Sequence, residues 1–275
     1  MAEVSLADIK ALRERLGTGM VDTKNALVEA EGDIEKAVEI LRLKGAKGNA
    51  KRADRSTSEG LVAAIESATA VTLIELACET DFVAKNDKFG ALAQRVLQAL
   101  ADSGAETVDA ALAAPADGGT VQSVIEEQAA TIGEKIELRR VARIPGEHFE
   151  VYLHQTSKDL PPQIGVVVAY TGSDAETARS IAQHISFADP QYLTRDDVPP
   201  SVVENEKRIV EEITRNEGKP EAALPKIVEG RLGAFYKQVS LAEQEYARDN
   251  SKTVGQVAKE AGIVVTGFAR FKVGA

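Results

Sequence analysis

The sequence predicts an α+β fold in which a small helical unit precedes a mixed core of sheets and helices. Apolar residues recur at helical spacing through the first fifty residues, and short runs rich in Val, Ile and Leu follow from residue 61. Two charged amphipathic segments lie between residues 199 and 239. Strands and helices do not alternate regularly, which is typical of α+β rather than α/β proteins.

The N-terminal unit is predicted to contain three short helices. Their apolar positions are Leu6, Ile9, Leu12 and Leu16, then Val21, Ala26 and Leu27, then Ile34, Val38 and Leu41. Gly17 and Gly19 separate the first two helices, and Gly32 precedes Asp33, which is placed to cap the third. A unit this small buries little apolar surface, so part of it is available to a partner, with Met20 as the first candidate.

The following segment and the core are predicted from similar patterns. Residues 44–58 are basic and lack apolar periodicity, which is typical of a linker at a domain boundary. Strands are predicted at 61–65, 70–78, 136–144, 148–154, 164–170 and 263–273, and helices at 82–101, 121–132, 175–185 and after 252. The first two strands are expected to pair. Residues 199–239 predict two antiparallel helices, with Pro225 in the first turn of the second.

Composition limits the classes of partner and compartment. The 275 residues include 43 acidic and 33 basic side chains, and the resulting formal charge of -10 disfavours a nucleic-acid partner. A single cysteine, Cys78, cannot form an intrachain disulfide, and neither a secretory signal nor an apolar stretch of about 18 residues is found. We therefore expect a cytoplasmic protein that does not cross a membrane.

No set of residues predicts catalysis by the chain itself. The three histidines, His148, His154 and His184, lack metal-ligand spacing, and packing or hydrogen-bonding roles are favoured for them. No glycine-rich segment has the spacing of a phosphate-binding loop. Cys78 lies in an apolar strand, where a buried thiol is expected. We expect no catalytic residue, no cofactor and no metal.

The segment ETDFVAKN at residues 79–86 lies where a buried strand gives way to a helix, and it has two interpretations. In the first, Thr80 or Asp81 caps the helix and Phe82 anchors its first turn, so that no partner is required. In the second, these side chains project from the junction towards a partner. The residues alone leave both open.

Six motifs occur along the chain in a fixed order. They are LRERLGTGMVDTKNAL at 12–27, GDIEKAVEILRLKG at 32–45, TDFVAKN at 80–86, IGEKIELRR at 132–140, KTVGQVAKE at 252–260 and VTGFARFKVG at 265–274. With these motifs the chain resembles bacterial translation elongation factor Ts nearly from end to end. The resemblance implies an N-terminal three-helix ubiquitin-associated-like domain, a mixed sheet-and-helix core of two similar subdomains and a protruding antiparallel helical hairpin. The implied boundaries are 1–45 for the first domain, 46–58 for a linker, 59–145 and 146–275 for the core subdomains, and about 199–239 for the hairpin within the second.

The resemblance also implies a function. The family consists of guanine nucleotide exchange factors that bind elongation factor Tu and accelerate GDP release by disturbing its magnesium site and switch region, so that GTP can rebind during translation elongation. Such a protein makes and breaks no bond of its own. The residues implied at the nucleotide side of the partner are Thr80, Asp81, Phe82 and Val83, and the other implied contacts are Lys10, Arg13, Met20, Val21, Lys24, Ile132, Gly133 and His154. No direct contact with nucleic acid or membrane is expected, and homo-dimerisation stays open.

Two alternatives remain. A ubiquitin-associated-like scaffold or an RNA-binding accessory protein would use the small domain and the basic run from Lys44 to Arg55. The second alternative is a hydrolase, although no group of catalytic residues in the sequence supports it.

Overall fold

The computed structural model describes residues 4–16 and 18–275, and it has the mixed helix and sheet content that the sequence predicts. The helices in these residues are α1 (Leu6–Leu16), α2 (Met20–Glu29), α3 (Ile34–Arg52), α4 (Asp81–Ala84), α5 (Asp87–Ser103), α6 (Val108–Ala113), α7 (Val121–Ile132), α8 (Ala175–Ala188), α9 (Pro200–Asn216), α10 (Leu224–Val239) and α11 (Val254–Glu260). The strands are β1 (Glu59–Glu66), β2 (Ala70–Cys78), β3 (Pro115–Ala116), β4 (Gly119–Thr120), β5 (Ile136–Pro145), β6 (His148–His154), β7 (Ile164–Thr171), β8 (Glu245–Tyr246), β9 (Asp249–Thr253) and β10 (Val264–Lys272). None of the helices described is long and apolar enough to cross a membrane.

The first three helices pack around one small apolar core. Ile9, Leu12 and Leu27 are buried in it, at the positions that the helical spacing predicts. The carboxylate of Asp33 accepts hydrogen bonds from the backbone N–H groups of Glu35 and Lys36, at 3.0 and 3.1 Å. Asp33 therefore caps α3, as expected. The predicted break at Gly17 lies outside the described residues.

Helix α3 is longer than predicted, because it continues to Arg52 through the first part of the 44–58 segment, for which no helix was predicted. Alanine, lysine and arginine favour helix even without an apolar stripe. Packing on α7 adds to this preference, because the side-chain amide of Asn49 donates to the backbone carbonyl of Glu126 at 2.8 Å. Gly45 permits the close approach, since a Cβ there would lie 2.8 Å from that of Ala130.

Two three-stranded antiparallel sheets share one topology. In the first sheet the order is β1-β2-β5, and in the second it is β6-β7-β10. In each sheet two sequential strands form a hairpin, helices follow, and the last strand returns to the free side of the central strand. The predicted pairing of the first two strands is confirmed.

The two sheets stack face to face, with helices on their outer faces. Alternate residues of β1 and β2 point towards α5 and α7 on one side and towards the second sheet on the other. Val62 and Leu73 meet Val167 of β7 in the layer between the sheets. Gly165 lies in this layer, and a Cβ at its position would clash with Cγ1 of Val62.

The sequence prediction of one helix over 82–101 is wrong, because the chain breaks between α4 and α5. Asn86 has an extended backbone, and its side chain accepts from the N–H of Lys88 at 2.9 Å, so a new helix begins there. The short helix α6 and the strands β3 and β4 were not predicted, since their runs are too short for a periodic signal.

The predicted helical pair is present as α9 and α10, which pack on each other. Gly218 adopts a left-handed conformation, with φ of 72°, just after α9. Pro225 lies in the first turn of α10, as predicted. The guanidinium of Arg231 contacts the carboxylate of Glu217 at 2.7 Å and joins the two helices near this turn.

The contact between the sheets predicts the effect of adding one methyl group. We expect Gly165→Ala to lower the free energy of unfolding by about 1–3 kcal/mol, because the Cβ has no space between Val62 and Leu73. Gly230→Ala is the matched control: no atom lies within 4 Å of its added Cβ, and alanine favours α10 by about 0.5–1 kcal/mol. Urea unfolding of both variants measures the difference, and equal stability would contradict the close packing of the sheets.

Candidate functional site

An exposed aromatic side chain marks the junction between β2 and α4. Phe82 is 81% exposed, more than any other large apolar side chain in residues 4–16 and 18–275. The next two residues, Val83 and Ala84, are buried in the same core as Phe89. Residues 80–83, called the tip from here on, are therefore anchored on one side and open to solvent on the other.

The structure decides part of the choice between the two interpretations of this segment. Thr80 is the N-cap of α4, and its hydroxyl accepts from the N–H of Val83 at 3.4 Å. The expectation that Phe82 anchors the first turn is wrong, because Val83 and Ala84 fill that role. The phenyl ring has no packing function within its own chain.

The backbone at the start of the tip is held by Glu134, which follows α7. One carboxylate oxygen, Oε2, accepts from the N–H groups of Glu79 and Thr80, both at 3.1 Å. The other oxygen, Oε1, accepts from the hydroxyl of Thr80 at 2.6 Å. Gly133 ends α7 with a left-handed φ of 86°, which turns the chain towards the tip.

Asp81 lies beside Phe82 as an exposed anion. Its carboxylate is 2.7 Å from the ammonium of Lys85, one helical turn later. This hydrogen bond holds the pKa of Asp81 below its ordinary value of 3.8. It also raises the pKa of Lys85, to which the charges of Asp159 and Glu59 add. Asp81 is thus ionised at neutral pH, and an exposed pair of this kind opens at little cost when another partner is available.

The other predicted core residues lie in different surroundings. Ile132 is half-buried against the core of the first sheet, and Gly133 is exposed beside Glu134. The two residues therefore adjoin the tip through Glu134. His154 is exposed at the end of β6, where its Nδ1 is 3.0 Å from the hydroxyl of Tyr152.

The predicted residues of the N-terminal unit form two exposed helix faces. On α1, Lys10 and Arg13 share a face with exposed Leu6, because their spacing is close to one helical turn. On α2, the shared face is formed by Met20, Val21, Lys24 and Val28. Val21 is 69% exposed, so these faces combine apolar surface with positive charge.

Several basic residues of the 44–58 segment have intramolecular partners. Lys44 lies 3.6 Å from the carboxylate of Glu29, and the guanidinium of Arg55 lies 3.2 Å from that of Glu79. Arg52 donates to the side-chain oxygen of its neighbour Asn49 at 2.7 Å. Positive charge used in this way is less available to phosphates, which weighs against the RNA-binding alternative.

His184 is buried and has a structural partner. Its Nε2 is 2.9 Å from the side-chain oxygen of Gln244, and burial lowers its pKa. Within residues 4–16 and 18–275, His, Cys, Asp and Glu side chains form no group of three or more that could hold a metal ion.

Comparison with known proteins identifies the family. A family model described as elongation factor TS matches residues 79–275, which include the tip, β5 of the first sheet, the whole second sheet and the helical pair. The chain belongs to the elongation factor Ts family. Proteins named elongation factor Ts from Leifsonia xyli subsp. xyli, Clavibacter sepedonicus and Tropheryma whipplei (strain Twist) are 71%, 69% and 53% identical to it, each over 100% of both chains. This membership makes the chain a translation elongation factor, as the resemblance implies.

Cys78 lies directly beneath the tip. It is fully buried, and its thiol donates to the backbone carbonyl of Thr80 at 3.3 Å. Burial raises the pKa of the thiol from 9.0 to about 12, with smaller contributions from the negative charges of Glu134 and Glu59. The prediction of a buried thiol is confirmed.

This environment predicts the reactivity of Cys78, the one cysteine in the sequence. At about pH 8 the native thiol should react with Ellman's reagent on the order of 100-fold more slowly than in guanidinium, because it is buried and protonated. The unfolded thiol loses its proton first, so the free energy of unfolding should fall as pH rises from 9.0 towards about 12. Equal reaction rates in the native and unfolded states would contradict the described geometry.

Proposed function

We propose that this chain is a guanine nucleotide exchange factor that binds elongation factor Tu and accelerates the release of GDP. The observation that carries the proposal is the exposure of Phe82 on a tip that is anchored on its other side. Membership of the elongation factor Ts family supports the choice of partner. The chain binds and makes or breaks no bond itself.

The proposed mechanism uses Phe82 as an apolar wedge and Asp81 as a charge. GDP is held in a GTPase by Mg²⁺ and by backbone N–H groups around its phosphates. Phe82 inserts near this site and stabilises a shifted position of the switch region. The Asp81 carboxylate repels the phosphates or competes for the waters of the magnesium ion. The affinity of GDP for the GTPase then falls, although the exchange factor does not contact the guanine base.

Thermodynamic linkage makes the cycle reversible. Each tenfold loss of nucleotide affinity, about 1.4 kcal/mol, must be matched by a tenfold loss of exchange-factor affinity when nucleotide binds. GTP that enters the empty site therefore releases the exchange factor from elongation factor Tu. The binding energy of Phe82 and its surroundings sets how far the affinity of elongation factor Tu for GDP is lowered.

The other predicted contacts extend the interface. We assign Lys10, Arg13, Met20, Val21 and Lys24 to a second surface against the GTPase domain, and Ile132, Gly133 and His154 to contacts from the core. Their exposed apolar and basic groups support the second surface. The packing of α3 on α7 holds this surface in a set position relative to the core, so both surfaces can engage one partner with little added entropy cost.

The domain organisation implied by the resemblance is also a proposal. A ubiquitin-associated-like domain at 1–45 would be joined to core subdomains at 59–145 and 146–275, the second of which carries the helical hairpin. The shared strand topology of the two sheets supports similar subdomains. The 46–58 connection is then helical as far as Arg52.

Substitutions at the tip test the proposal. Phe82→Ala should lower the maximal rate of GDP release from elongation factor Tu by about tenfold or more, since an inserted aromatic is worth about 2 kcal/mol or more. Asp81→Ala should slow release by a smaller factor. Stopped-flow fluorescence with a labelled GDP measures both rates.

The matched control is Ile213→Ala, which truncates another exposed apolar side chain, on α9. It should leave the rate within about twofold. Circular dichroism should show native helix content in all three variants. If the unmodified chain does not accelerate release, the function is wrong, and if both tip variants release GDP at the unmodified rate, the tip is not the site.

A further inference from the structure

Two connections between secondary-structure elements meet beneath the tip. A glutamate from each connection accepts hydrogen bonds from the other connection. Glu134, in the connection from α7 to β5, takes three hydrogen bonds from residues 79 and 80. Glu79, in the connection from β2 to α4, accepts from the N–H of Lys135 at 2.6 Å. We call this pair of carboxylates the clamp.

A basic group lies beside one of the two carboxylates of the clamp. The guanidinium of Arg55 lies 3.2 Å from the carboxylate of Glu79. The ammonium of Lys135 donates to the backbone carbonyl of Arg55 at 3.1 Å, which ties the chain after α3 to the same place. An ionised carboxylate only accepts hydrogen bonds, so Glu134 suits two N–H groups and one hydroxyl that all donate to it.

The tip depends on the clamp because α4 is too short to fix its own direction. It has four residues, and a single turn of helix in water is unstable. Burial of Val83 and Ala84 holds its inner side. The strand end that leads into it is held by Glu134, through Thr80 and Glu79. Without Glu134, these backbone groups would turn to water and Phe82 would sample several directions.

Resting on the proposed function of the tip, we propose that Glu134 is a positioning residue for nucleotide exchange. It acts through Phe82: by fixing residues 79 and 80, it presents the phenyl ring in the direction needed for insertion. The ordering cost is then met during folding rather than during binding. Loss of the clamp should lower the rate of the exchange step more than it weakens the encounter, because the remaining surface is unchanged.

A double-mutant cycle tests this inference. Glu134→Ala, Phe82→Ala and the double variant are compared by the maximal rate of labelled GDP release and by the concentration that gives half of it. Glu134→Ala should lower the maximal rate about tenfold or more and leave the half-saturating concentration within about threefold. In the Phe82→Ala background the same substitution should change the rate less than about twofold, since the two residues act as a unit.

Conservative variants separate positioning from charge and from loss of structure. Glu134→Gln keeps an oxygen for the two N–H groups and an amide that can donate to the hydroxyl of Thr80, so its rate should stay within about threefold. Glu134→Asp keeps the charge but has a shorter side chain, so its maximal rate of GDP release should be well below that of the glutamine variant. If the alanine variant does not fold, Glu134→Asp takes its place in the cycle. Glu106→Ala, at an exposed glutamate, is the control and should match the unmodified chain.

The outcomes distinguish the inference from the function on which it rests. If Phe82→Ala alone has no effect, the proposed function of the tip is wrong and the inference falls with it. If Phe82→Ala slows exchange but Glu134→Ala does not, or if the two losses multiply in the double variant, the tip remains the site and Glu134 does not position it. Full activity of Glu134→Asp together with loss in Glu134→Gln would make the charge, rather than the geometry, responsible.

Discussion

The two-sided anchoring of the segment from residue 79 to residue 84 is the constraint on which the site depends. Val83 and Ala84 are buried in the first core, and Glu134 holds the backbone that leads into them. With both ends fixed, Phe82 has no position in its own chain except in solvent. Burying a phenylalanine is worth about 1.5–3 kcal/mol, so its exposure leaves that free energy available to a partner.

The rest of the fold makes this anchoring rigid. The first sheet is covered by α5 and α7 on one face and by the second sheet on the other, so the strand that leads to the tip is buried along its whole length. Glu75, within that strand, is fully buried and contacts Arg139 and Arg140, and it also accepts from the N–H of Gly274 at 3.2 Å. These bonds join the first sheet to the chain after β10. An inserting side chain needs such a rigid base, because the entropy cost of ordering a mobile phenyl ring would offset the free energy that its insertion contributes.

Much of the fold follows from the sequence, because periodicity reports burial along a single element. The six strands of the two three-stranded sheets and the helical pair were placed within a few residues of their observed bounds. The extent of α3 and the break at Asn86 were not, since the first depends on packing of Gly45 against Ala130 and the second on one side-chain cap. At the site, the segment from 79 to 86 stood out, but its two interpretations could be separated only by the exposure of Phe82. Glu134 was missed as a functional candidate because its partners lie 54 and 55 positions away in sequence, a separation at which no local pattern connects residues.

A structure of this chain bound to nucleotide-free elongation factor Tu tests the central claim most directly. The account predicts that the Phe82 ring is buried in the GTPase beside the emptied magnesium and phosphate site, with Glu134 still bonded to residues 79 and 80. A complex in which Phe82 stays in solvent, or turns back against its own core, would contradict it.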